Sequence, residues 1–120
     1  MLNLDTHVLL YALSGSLTRA EAALLSRHVW SISAIVLWEI GKLAELRRIE
    51  VDIDDADLAS VLARIHVWPL SLDVCRAIRT LDFDGDPADE IIAATSIVHR
   101  VPLVTRDRLL RRSRRVPLAT

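Results

Sequence analysis

MLNLDTHVLLYAL, running from Met1 to Leu13, is the stretch whose reading decides the fold. Met1 to Leu4 is short and apolar, the mark of a buried strand. Asp5 or Thr6 then caps a helix that runs to Leu13, where Ser14-Gly15-Ser16 breaks it. Strand and helix signals keep alternating downstream. A helix fits Thr18 to Arg27, with Thr18 and Glu21 in capping-box spacing, and a strand fits Val29 to Ile32. Ser33 starts a long helix reaching about Arg47. Helices near Asp54 to Arg64 and Leu72 to Leu81 flank the apolar stretch Val67-Trp68-Pro69-Leu70. After Phe83-Asp84-Gly85 a helix spans Asp86 to His99, then come a strand at Leu103-Val104-Thr105, a short Arg-rich helix and a last strand at Val116-Pro117-Leu118. This alternation predicts an α/β fold, layered α/β/α around a mostly parallel sheet. With 120 residues, no repeat and no linker, the expectation is a single domain over 1–120.

Four acids fall where such a fold concentrates ligands. Asp5 directly follows the first strand, so its side chain emerges at the carboxyl end, where open parallel sheets bind ligands. Helix capping by Thr6 would leave Asp5 free for that role. Asp107 follows Val104-Thr105-Arg106 at the end of another strand, and adjacent strand ends would bring it near Asp5. Glu39 sits in the apolar run Ile35-Val36-Leu37-Trp38-Glu39-Ile40, on a helix that reads as mostly buried. A helical pair with Lys42 is worth only about 0.2 to 0.5 kcal/mol and does not account for so apolar a setting; a cation does. Asp86 and Asp89 lie in the first turn of one helix, with Pro87 between them. Asp86 reads as the N-cap, while Asp89 can point toward a cation and is expected to be kept ionised by the helix's positive end. Gathered together, these carboxylates form an oxygen-rich pocket suited to Mg2+ or Mn2+, the hard ions that select such donors.

Composition narrows the alternatives. Hydrophobic residues make up 52% and mean hydropathy is +0.31, which favours surface covered by a partner or by self-association. No apolar run approaches the roughly 20 residues of a membrane span, and the amino terminus lacks the pattern of a secretory signal. The single Cys75 forms no internal disulfide, which suits the cytoplasm, and it reads as core filler. Trp30, Trp38 and Trp68 read as core residues too. His7, His28, His66 and His99 lack the spacing of a zinc site, and no phosphate loop, dinucleotide fingerprint or Gly-flanked nucleophilic Ser occurs. Net charge is −1, but Arg106, Arg108, Arg111, Arg112, Arg114 and Arg115 form a basic cluster able to track a phosphate backbone.

The chain resembles the PIN-domain family, and within it the VapC toxin nucleases of toxin–antitoxin pairs. The likeness is carried by Leu4-Asp5-Thr6-His7 with Leu9-Leu10, by Ser33 to Leu43, by DPADEIIAAT at Asp86 to Thr95 and by PLVTRD at Pro102 to Asp107. It implies a compact α/β/α sandwich and metal-dependent cleavage of RNA, with acids at Asp5, Glu39, Asp89 and Asp107. Thr6, Ser33 and Thr105 would be hydroxyls supporting them. It also implies a small VapB antitoxin covering the groove, and toxin dimers. Many similar toxins carry Arg directly after the acid matched to Asp89; here Glu90 follows. That departure and the apolar composition suit a competing reading, a catalytically idle PIN-like module binding RNA or protein. A phosphoacceptor receiver domain fits poorly, since Asp5 stands alone after its strand and the only lysine, Lys42, lies on a helix.

Overall fold

The computed structural model describes residues 1–119. Four parallel strands, β1 (Leu2–Leu4), β2 (Trp30–Ser33), β3 (His66–Trp68) and β4 (Leu103–Val104), lie in the order β3-β2-β1-β4. The register sets Asn3 beside Ser31 and Leu103, and Leu4 beside Val104. All three residues of β1 are buried. Because alternate side chains of a strand leave opposite faces, helices cover both sides of the sheet and the predicted three-layer α/β/α arrangement is realised. Seven helices are described: α1 (Thr6–Ser14), α2 (Arg19–Ser26), α3 (Ala34–Glu45), α4 (Ala56–Leu62), α5 (Leu72–Ala77), α6 (Pro87–His99) and α7 (Arg108–Arg112).

Local chemistry fixes most helix ends. Thr18 and Glu21 form the expected capping box at α2, and Ser33 and Asp107 cap α3 and α7 through their side chains. Gly15 closes α1 at φ 72°, a left-handed conformation that only glycine adopts without penalty. The helix expected over Leu72 to Leu81 ends earlier, at Ala77, and tightens into a 3-10 turn over Ile78–Thr80. The predicted last strand shrinks to one parallel bridge between Leu103 and Leu118. Pro117 has no N–H to give to a ladder, although its carbonyl accepts from the Leu103 amide at 2.8 Å.

The core joins Leu4, Val8, Leu9, Ile32, Val36, Ile92, Leu103 and Leu110, which are all fully buried. Two residues assigned to it from the sequence are not there. Trp38 is 61% exposed, because α3 turns Val36 and Ile40 inward and leaves Leu37 and Trp38 outside. Cys75 is exposed for a like reason, since Val74 is the residue of α5 that faces the core. Trp68 is half-buried and stacks on His99 with ring centres 3.9 Å apart.

One buried polar link was not anticipated. Asn3, fully buried in β1, donates from Nδ2 to Ser96 Oγ on α6 at 2.9 Å, and its Oδ1 accepts from Ser31 Oγ on β2 at 3.3 Å. Buried amides persist where their partners are supplied. Asn3→Ala should therefore lower stability by about 1 to 3 kcal/mol, by taking from the buried Ser96 hydroxyl its donor, while Ser31 keeps the Leu2 carbonyl at 3.2 Å. Urea denaturation measures it, and a midpoint equal to the wild type's would show the link to be idle.

Candidate active site

The chain direction of every strand brings its carboxyl end to the same edge of the sheet, and the acids collect there. Asp5 follows β1, is only 5% exposed and is the N-cap of α1. Its Oδ1 accepts from the Thr6 amide at 2.8 Å and its Oδ2 from the Thr105 hydroxyl at 2.6 Å. Of the two capping candidates, Asp5 takes the role. Thr6 is already inside the helix, and its hydroxyl donates to Glu39 Oε1. Capping by Asp5 still leaves lone pairs for a ligand, because a carboxylate has about four acceptor positions.

Glu39 is held by Thr6 across the gap between α1 and α3. Lys42 pairs with Glu45 instead, at 3.5 Å, so the simple helical ion pair is excluded for Glu39. Its surroundings are less apolar than the sequence suggests, since Leu37 and Trp38 are exposed. Asp107 Oδ1 accepts from the amides of Leu109 and Leu110 at 2.8 and 3.1 Å, while its own amide donates to Thr105 Oγ1 at 3.0 Å. Thr105 therefore touches both strand-end acids. Ser33 is buried but only caps α3, accepting from Ile35 at 3.3 Å; it makes no hydrogen bond to an acid. Asp86 occupies the N-cap position of α6 without making a side-chain cap bond.

Asp89 is where these charges converge. Its carboxyl is pushed up to about 7 by burial first, and then by the negative charges of Asp5, Asp107, Glu39 and Asp86. The positive end of α6 was expected to keep it ionised; loss of water and four neighbouring acids outweigh that dipole. Burial also raises the Asp5 carboxyl, against the Thr105 and Thr6 hydrogen bonds that favour its charge. Among the described residues, no three His, Cys, Asp or Glu side chains stand close enough together to grip a common ion as placed. The donor set is nonetheless all oxygen and excess in negative charge, the chemistry a hard divalent cation requires.

The basic cluster divides. Arg106 is committed, forking onto Glu21 at 2.6 and 2.8 Å and lying 3.9 Å over the Tyr11 ring. That pairing holds the Glu21 carboxyl down to about 2. Arg111 donates to the Thr105 carbonyl at 3.2 Å. Sequence reading missed both uses: Glu21 lies 85 residues from Arg106, and the contact of Arg111 with a backbone carbonyl six residues earlier leaves no side-chain pattern.

A PIN-domain family model matches residues 3–116. The chain belongs to the PIN-domain family. Its sequence is 38% identical to Ribonuclease VapC22 of Mycobacterium tuberculosis over 88 residues, which span 70% of this chain and 67% of that relative. The fold is similar to that in the crystal structure of VapBC2 from Rickettsia felis bound to a promoter DNA fragment (TM-score 0.75, 20% identity, 99% of this chain and 98% of that one). It is also similar to a toxin-antitoxin complex from Klebsiella pneumoniae (TM-score 0.68, 22% identity, 89% and 87%) and to FitAcB from Neisseria gonorrhoeae (TM-score 0.62, 23% identity, 92% and 90%). At these identities the structures speak for the PIN fold alone.

Titration of Asp89 has a definite sign. The folded protein holds the Asp89 proton to about pH 7, whereas an unfolded aspartate releases it near pH 4. Folding therefore binds protons in that window, so stability of the metal-free protein falls as pH rises from about 4 through about 7. Asp89→Asn should flatten that decline and raise stability at pH 8. Urea midpoints across pH in chelator test it, and an Asn variant that tracks the wild type would count against the convergence of charge.

Proposed function

We propose that this chain is a metal-dependent endoribonuclease, the toxin of a toxin–antitoxin pair, which hydrolyses RNA phosphodiester bonds at a site formed by Asp5, Glu39, Asp89 and Asp107 with Mg2+ or Mn2+. The observation that carries this reading is the convergence of acids from β1, α3, α6 and the β4–α7 turn on one half-buried carboxyl, within a PIN fold. The similarity to a relative named as a ribonuclease agrees with it.

Each residue's part follows from its contacts. Thr105 holds Asp5 and the Asp107 backbone, so the two strand-end acids keep a fixed separation. Thr6 orients Glu39 from the opposite side. The amides at the start of α7 occupy one oxygen of Asp107 and leave the other for a ligand. Asp86, free of a capping bond, adds charge at the rim. Asp5, Glu39, Asp89 and Asp107 would hold the divalent ion, which would supply positive charge to polarise a phosphate and acidify water. Arg108, Arg112, Arg114 and Arg115 are exposed and supply cationic surface for a phosphate chain.

The same reading includes a VapB-like antitoxin, homodimers or larger assemblies with that antitoxin, a cytoplasmic setting and a single PIN domain over 1–120. A structural neighbour described as a toxin–antitoxin complex supports the partner. Exposed Trp38, Val29, Leu70 and Leu72 offer apolar surface for it. Among the described residues no single helix is long and apolar enough to cross a membrane. Glu90, which adds a carboxylate directly beside Asp89, favours the competing reading of an idle PIN-like module.

Incubation with small RNAs decides between the two. Cuts should appear with Mg2+ or Mn2+, vanish with chelator and vanish in Asp5→Ala. Thr105→Val, which removes only a supporting hydroxyl, should weaken metal-dependent cleavage by roughly 10- to 100-fold. Cleavage that persists in Asp5→Ala would refute the assignment, and Mn2+ binding without cleavage would favour the idle module.

A further inference from the structure

Beside the acids lies a cleft of about 590 Å³, between α1 with its following turn and the segment after α3. His7, Tyr11, Arg48, Ile49, Glu50 and Val51 contribute to its walls. It adjoins the acidic edge through the chain itself: His7 follows Thr6, the residue that holds Glu39, and lies near enough for its charge to act on Asp5. Its volume is that of a small-ligand site.

The lining has the chemistry of a base-binding subsite. Tyr11 and His7 present two rings, tilted 32° with centres 6.5 Å apart. Arg106 sits 3.9 Å over the Tyr11 ring and is itself held by Glu21, so the phenol is braced rather than free to swing. Ile49 and Val51 add apolar wall, and Arg48 and Glu50 are exposed, a forked donor and an acceptor for the edge of a base. Single-stranded nucleic acids are gripped by this combination of aromatic platforms and cations. An acidic peptide would meet Glu50 and the neighbouring carboxylates, whereas an RNA strand engages the acids through a cation and the cleft through its base.

We propose that this cleft seats the base of an RNA nucleotide flanking the cleaved bond, with Tyr11 and His7 as the stacking surface and Arg48 as the polar contact that sets base preference. The proposal rests on the nuclease reading for its substrate class, but the cleft is tested by binding alone. In the Asp89→Asn background, fluorescence anisotropy with labelled oligo(A), oligo(C) and oligo(U) should show binding that His7→Ala, Tyr11→Ala and Arg48→Ala each weaken by about tenfold. The losses at His7 and Tyr11 should survive added salt, while that at Arg48 should shrink. Replacing one nucleotide of the probe by an abasic unit should cost the parent protein affinity and cost the His7→Ala protein no more. His7 and Arg48 are exposed, so their variants report even where Tyr11→Ala loses its fold. Equal affinity in all variants, additive losses with the abasic probe, or no oligonucleotide binding overturns the subsite. Failure of cleavage with intact, base-dependent binding would instead remove the nuclease reading and leave the cleft.

Discussion

Like charge crowded into one corner of a small protein is the constraint around which this structure is organised. At an effective dielectric of about 20, two unit charges roughly 4 Å apart repel by about 4 kcal/mol, comparable with the whole stability of many domains. Repulsion in such a cluster is resisted by interactions that fix its members, and here three of the four acids have a restraint of their own. Thr105 and the first amide of α1 hold Asp5, Thr6 holds Glu39, and two amides of α7 hold Asp107. Among the described residues Asp89 has no such hydrogen bond, and it is the acid whose carboxyl takes up a proton near neutral pH. The cluster thus has three acids fixed and its charge unbalanced.

The parts legible in the sequence were those encoded by neighbours in the chain. A strand followed at once by a capping residue placed Asp5, and the same grammar placed Asp107. The capping box of Thr18 and Glu21 was readable for the same reason. Contacts between segments far apart were not. Nothing near Arg106 announces that Glu21 and Tyr11 will claim it, so a residue read as part of a phosphate-tracking rim is a brace onto two helices, α2 and α1. Nothing near Asn3 announces that its amide will be met by Ser96 and Ser31.

Apolar runs misled in an instructive way. Ile35 to Ile40 is hydrophobic enough to suggest a buried helix, yet a helix turns about 100° per residue and buries one stripe. Val36 and Ile40 lie on that stripe, and Trp38 lies opposite. Glu39 was singled out because its setting looked too apolar for an ordinary charge. Its setting is defined instead by distant partners: it accepts from the Thr6 hydroxyl beside Asp5, and its charge is felt at Asp89. The exposed Trp38 and Leu37 turn the excess hydropathy of the chain into surface, and so into an argument for a covering partner.

Arg106 shows how fold and site are joined. It lies between Thr105, which binds Asp5, and Asp107, which caps α7. Its fork onto Glu21 anchors that three-residue turn to the capping box of α2, and its stacking on Tyr11 anchors it to α1. The backbone carrying two of the site's acidic contacts is therefore restrained from outside the site, on the side where the charge is balanced. A corner with unbalanced charge gains from such an external anchor, because mutual repulsion of its acids works against the Thr105 and Thr6 hydrogen bonds inside it.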